Sequence, residues 1–143
     1  MKPLRYAAAT LMLALPAIPA LSHHSFAMFD QTQRITLKGT VGDFQWTNPH
    51  AFIEVDVPAT DPNAGHWQVE LNSPNNLKRQ GWKSSSVKVG DAVSLTLFPL
   101  RDMSERKGGL FISLTLADGT VLKEAAFAGN GGPVNVPNTG YGK

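Results

Sequence analysis

The chain has no cysteine. Disulfides, thiolate metal centres, iron–sulfur clusters and thiol catalysis are therefore excluded, and so is a bacterial lipoprotein anchor, which needs a cysteine at its cleavage point. Neither sign of charge dominates. Charged residues make up 17% of the chain, and the formal net charge is +2 at pH 7. Two of the basic residues, Lys2 and Arg5, precede the first acidic residue, Asp30, and without residues 1–22 the balance falls near zero. The pI near 9.0 thus gives no reason to expect nucleic acid or an anionic membrane as a partner. No Gly-x-Ser-x-Gly and no His-Glu-x-x-His occurs, which removes the common hydrolase signatures. A hydrophobic content of 42% over 143 residues is that of a single globular domain with one modest core.

The first 22 residues, MKPLRYAAATLMLALPAIPALS, have the three parts of a secretory signal. Lys2 and Arg5 form a positive start, Ala7 to Leu15 an apolar helix, and Pro16 and Pro19 break it before the small residues Ala20 and Ser22. The apolar stretch is shorter than the roughly 20 residues that a membrane span requires. The expectation is a signal peptide over 1–22, cleaved before His23, a domain over 23–127 and a flexible Gly/Pro/Asn-rich tail over 128–143. The mature protein is expected to be periplasmic or secreted, with no membrane anchor after cleavage.

Within the domain, residues 23–34 read as an extended arm. A strand follows from Arg34, with Ile35, Leu37 and Val41 at a period of two and a bulge at Gly42-Asp43. Ile53, Val55 and Val57 alternate along a second strand, and Trp67, Val69 and Leu71 along a third. The run SPNNLKRQGW reads as a short helix, capped by Ser73, with Pro74 in its first position and Gly81 at its end. A fourth strand spans the region to Leu100, RDMSERKGG is a polar loop, and a fifth strand from Leu110 turns back at Asp118-Gly119. Three strands, a short helix and two strands is the order of the OB-fold, a mainly β, five-stranded Greek-key barrel.

The histidines are His23, His24, His50 and His66. Imidazole nitrogens bind copper and zinc. If cleavage makes His23 the first residue, its α-amine and one ring nitrogen can chelate an ion, and His50 in the turn WTNPHAFI, or else His24, can add a third nitrogen. Cleavage one or two residues earlier puts a histidine third, the other copper-competent terminus. A nitrogen-rich set of this kind favours Cu(II), with zinc as runner-up. The expected metal residues are His23, His24 and His50, with Glu70 and Met28 as possible accessories; Asp30, Glu54 and Asp56 could also assist. The plainer alternatives are a solvated polar start for His23-His24 and, for His50, a turn residue whose ring caps a backbone group. His66 reads as surface and stays outside the site.

The segments HHSFAMFD, WTNPHAFIEVDV, WQVELNSPNNLKRQGW and VKVGDAVSLTL resemble a family of small exported bacterial proteins catalogued as domain of unknown function 6152, from about His23 to about Leu122. The resemblance implies one domain, export, and weight on the positions of His23, His24, His50, Trp67, Glu70 and Gly81-Trp82. It supplies no reaction. Where members often carry Ala-Glu in the arm, this chain has Ala27-Met28.

Three functions follow in order. The first is a protein that holds or hands over copper. The second is a non-catalytic OB module that binds a small ligand or an envelope protein; Glu54, Asp56 and Glu70 on its candidate face have the wrong sign for single-stranded nucleic acid. The third is a copper oxidase using the terminal histidine. No catalytic residue is assigned, and an enzyme ranks last.

Overall fold

Period-two burial sets the strands. In the computed structural model, which describes residues 26–124, β1 (Ile35–Gln45), β2 (Phe52–Val57), β3 (Gly65–Glu70), β4 (Ala92–Pro99), β5 (Lys107–Leu116) and β6 (Val121–Lys123) form one sheet, with the helix α1 (Pro74–Arg79) between β3 and β4. The expected signal peptide, His23 and His24, and the tail over 128–143 lie outside the described residues.

The sheet order is β3-β2-β1-β4-β5-β6, and β3 also pairs with β5 in parallel. That pairing closes β1 to β5 into a barrel, with β6 added antiparallel outside β5. β1 serves two neighbours in succession. Its first half pairs with β4 from Ile35↔Leu97 to Thr40↔Ala92, and its second half with β2 from Thr40↔Asp56 to Gln45↔Phe52. The bulge between Val41 and Asp43 falls on the expected Gly42-Asp43 and bends the strand where it changes partners. Gly39 sits at the crossing. A Cβ there would meet the Asp56 carbonyl oxygen at 2.4 Å, so the gap in the apolar alternation is a place where two backbones approach.

The barrel interior is filled by Leu37, Val41, Ile53, Val55, Trp67, Val69, Leu95, Leu97, Phe111 and Leu114, all 2% exposed or less. α1 plugs one end. Ser73 Oγ accepts from Asn76 N at 3.3 Å, Pro74 takes the first turn, and Leu77 is fully buried. Complete burial of one leucine contributes about 2 kcal/mol. Gly81, at φ +88°, then lets the chain leave the helix. Trp82 packs edge-on against Phe111 at 5.4 Å and donates to the Lys123 carbonyl, which ties the helix exit to β6.

Two parts of the sequence reading are corrected. β5 begins at Lys107 rather than Leu110, because Gly108 and Gly109 belong to the strand. A Cβ on Gly109 would lie 2.2 Å from the Phe98 carbonyl oxygen, and one on Gly108 would lie 2.7 Å from that of Gln68. The glycine pair that reads as a loop is the bare backbone on which β3 and β4 close against β5. The arm, too, is more structured than an extended lead-in. Phe26–Met28 form a 3-10 turn, Phe29 is 4% exposed and bridges Leu100, and a second small cluster of Phe29, Phe98, Leu100, Leu110 and Ile112 holds it there.

Candidate metal site

His50 follows the cis Asn48–Pro49 peptide. Past the end of the β2–β3 ladder, Ala51 N donates to the Asn72 carbonyl at 3.1 Å and Leu71 N to the Ala51 carbonyl at 2.9 Å. The backbone beside His50 is thereby fixed. Its Nδ1 lies 3.0 Å from the Leu71 carbonyl oxygen and 3.2 Å from Glu70 Oε1. A carbonyl can only accept, so Nδ1 carries the proton. In the neutral ring, Nε2 is then the basic nitrogen, the atom a metal takes. A carboxylate and a carbonyl on the far nitrogen is also how proteins orient metal-binding histidines. The bond to Leu71 equally satisfies the plainer expectation that the ring caps a backbone group.

Glu124 completes the neighbourhood. The β5–β6 ladder runs one residue past β6, with Glu124 N donating to the Ile112 carbonyl at 3.1 Å. This carries the Glu124 side chain inward to full burial, 0% exposed. Oε2 accepts from Asn72 N at 3.2 Å, while Oε1 has no hydrogen-bond partner among the described residues. Burial pushes the carboxyl up from 4.5 to about 7, more than the Asn72 hydrogen bond and the His50 charge lower it; Glu70 raises it further. His50, Glu124, Leu71, Asn72, Leu110 and Phe26 line a cavity of about 40 Å³.

The other expected residues separate. Glu70 is at His50, as an orienting carboxylate. Met28 is 41% exposed and lines a different groove, with Leu100, Asp102, Ser104, Glu105 and Arg106; its neighbour Phe26 is the arm residue that reaches the His50 cavity. The Asp30 carboxylate is engaged by Thr32 and Gln33, and the Thr32 bonds hold it below the usual carboxylate range. Glu54 and Asp56 do share an outward face, where both meet His66: Nδ1 lies 2.8 Å from Asp56 Oδ1 and Nε2 3.5 Å from Glu54 Oε2. That group is half exposed and lies toward the opposite end of the β2–β3 ladder from His50. Among the described residues, no three His, Asp or Glu side chains gather closely enough to hold an ion. A larger open cleft of about 500 Å³, lined by His66, Gln68, Met103, Arg106 and Lys107 among others, shares no residue with the His50 cavity. Its cationic residues are already engaged, Arg106 by Gln68 Oε1 and Lys107 by the Ala64 carbonyl.

Sequence reasoning missed Glu124 and Phe26 as residues of the site. Glu124 gives no local signal, since its hydrogen-bond partner Asn72 is 52 positions away. Phe26 stands in the quoted HHSFAMFD, but nothing in that segment says where its ring goes.

The closed β1-β2-β3-β5-β4 barrel with a helix between β3 and β4 defines an OB-fold protein. The chain belongs to the family described as "Family of unknown function (DUF6152)", which it matches over residues 11–110. This match starts earlier and ends earlier than the resemblance read from the motifs. No curated protein matches the chain. Two crystal forms of the mitochondrial single-stranded DNA-binding protein of S. cerevisiae are similar at 10% identity, with TM-scores of 0.43 and 0.39. They cover 59% of this chain and 93% and 95% of theirs.

Proposed function

We propose that this protein is an exported, periplasmic metal-binding protein that holds copper between its N-terminal histidines and His50. The observation that carries the reading is the meeting of the arm with the Asn-Pro-His turn: Phe26 lines the same cavity as His50. His24 and His23 precede Phe26 by two and three residues, roughly 7 and 11 Å of extended chain. A ligand set drawn from His23, His24 and His50 is therefore within reach. The contacts of His50 Nδ1 support the same reading, because a carboxylate and a carbonyl on one ring nitrogen are how proteins orient metal-binding histidines. Export rests on the leader-like residues 1–22, and copper rather than zinc on a nitrogen-rich donor set without cysteine.

The test is a melting experiment on untagged protein exported from the full-length chain. A ligand that binds only the folded state raises the melting temperature. One equivalent of Cu(II) is expected to raise it in the wild type, and His50→Ala to abolish most of the rise. A wild type whose melting is unmoved by copper contradicts the proposal.

A further inference from the structure

We infer that Glu124 is the anionic ligand of this site, placing one carboxylate oxygen on the same ion that His50 binds. The inference rests on the copper reading above. It adds a residue that neither the terminal histidines nor the Asn-Pro-His turn suggests.

A fully buried carboxylate with one oxygen unbonded is among the least favourable placements a side chain can have, unless a cation or proton compensates it. Glu124 is held there from two sides. Its own backbone is locked to Ile112, and its Oε2 is fixed by Asn72 N. Rotating it out to solvent breaks the second of these. The structure thus retains a buried acid against its solvation preference, which is the pattern of functional carboxylates.

The cavity beside it also fits an ion. Its volume, about 40 Å³, exceeds the roughly 10–15 Å³ needed for one water-sized occupant. Of its other lining residues, Phe26, Leu71 and Leu110 are apolar and Asn72 is polar. A cation entering this space meets His50 and Glu124 as its charged or basic side-chain partners. Carboxylate oxygen and imidazole nitrogen together suit a first-row divalent ion, and one carboxylate offsets half of the charge of Cu(II). The three-nitrogen set alone leaves the full charge next to apolar walls. Glu70, bound to the far nitrogen of His50, is spent on orientation. Phe26, on the arm, is one of the residues that line the cavity.

The experiment uses untagged exported protein and Cu(II) as the probe, titrated against a competing chelator, for the wild type, Glu124→Gln and Glu124→Asp. Gln keeps the shape and the Asn72 hydrogen bond but removes the charge. Loss of even an outer-shell partner of a metal ligand costs tenfold to a hundredfold in affinity, so Glu124→Gln, which removes a charged ligand, is expected to bind Cu(II) at least about tenfold more weakly. Its metal-free melting temperature should be equal to or above the wild type's. A merely structural role cannot produce that pair of opposite changes. Glu124→Asp, which retains the charge one methylene further back, is expected to lie between the two and serves if the Gln variant does not fold. Wild-type affinity in Glu124→Gln overturns the role of Glu124 and leaves the His50 site standing. A wild type without a tight copper site overturns both.

Discussion

Replacing Glu124 by Gln should make the metal-free protein more stable, and the gain should depend on pH. The folded-state pKa, raised by burial to about 7, lies above the ordinary carboxyl value of 4.5. Between these values the folded protein keeps a proton that the unfolded chain has lost. Stability therefore falls as pH rises through this window, and the loss is complete above about 7. At 1.36 kcal/mol per unit, the shift from 4.5 to about 7 amounts to about 3 kcal/mol. Gln carries no such charge and can still accept from Asn72 N through its carbonyl. Its own amide hydrogens then face the cavity, which reduces the gain. The variant should thus match the wild type within about 1 kcal/mol at pH 5 and exceed it by up to about 3 kcal/mol at pH 8, equivalent to roughly 10 °C in melting temperature for a domain of this size. Urea unfolding of both proteins at several pH values, in the presence of a chelator, measures the difference directly. A wild-type-minus-variant difference that stays flat from pH 5 to 8 refutes the reasoning.

Two further substitutions test the frame around the site. Gly109→Ala places a Cβ 2.2 Å from the Phe98 carbonyl oxygen at the barrel closure, so a loss of more than about 4 kcal/mol, or no soluble protein, is expected in an expression and melting assay. Phe29→Ala removes the 4%-exposed anchor of the arm; it should cost about 3 kcal/mol in urea unfolding and weaken copper binding while leaving His50 untouched. Unchanged copper affinity in that variant would separate the arm from the site.

The barrel was legible because each of its first four strands has its apolar residues on one face, and because Ser73, Pro74 and Gly81 mark the helix that distinguishes an OB order from a plain sandwich. The start of β5 was hidden by Gly108 and Gly109. Glycine reads as a turn in sequence, whereas here its missing Cβ makes room for neighbouring backbone. The site was half legible. His50 and Glu70 could be picked out singly, but their contact comes from strand register: Phe52 pairs with Glu70, so the turn before β2 lands beside the end of β3. Glu124 was invisible, because burial of a carboxylate just after a short return strand depends on a ladder running one residue further than the apolar pattern does. Phe26 shows the same limit, since a 3-10 turn seated on a distant cluster has no period to read.

His50 is proposed to share an ion with the N-terminal histidines. The most direct measurement is the Cu(II) EPR spectrum of the untagged exported protein at one equivalent of metal, beside that of His50→Ala. The account predicts a single wild-type species with nitrogen superhyperfine structure, and in the variant a spectrum with fewer coupled nitrogens or only heterogeneous binding. An identical spectrum in His50→Ala would assign the ion to the terminus alone and contradict the shared site.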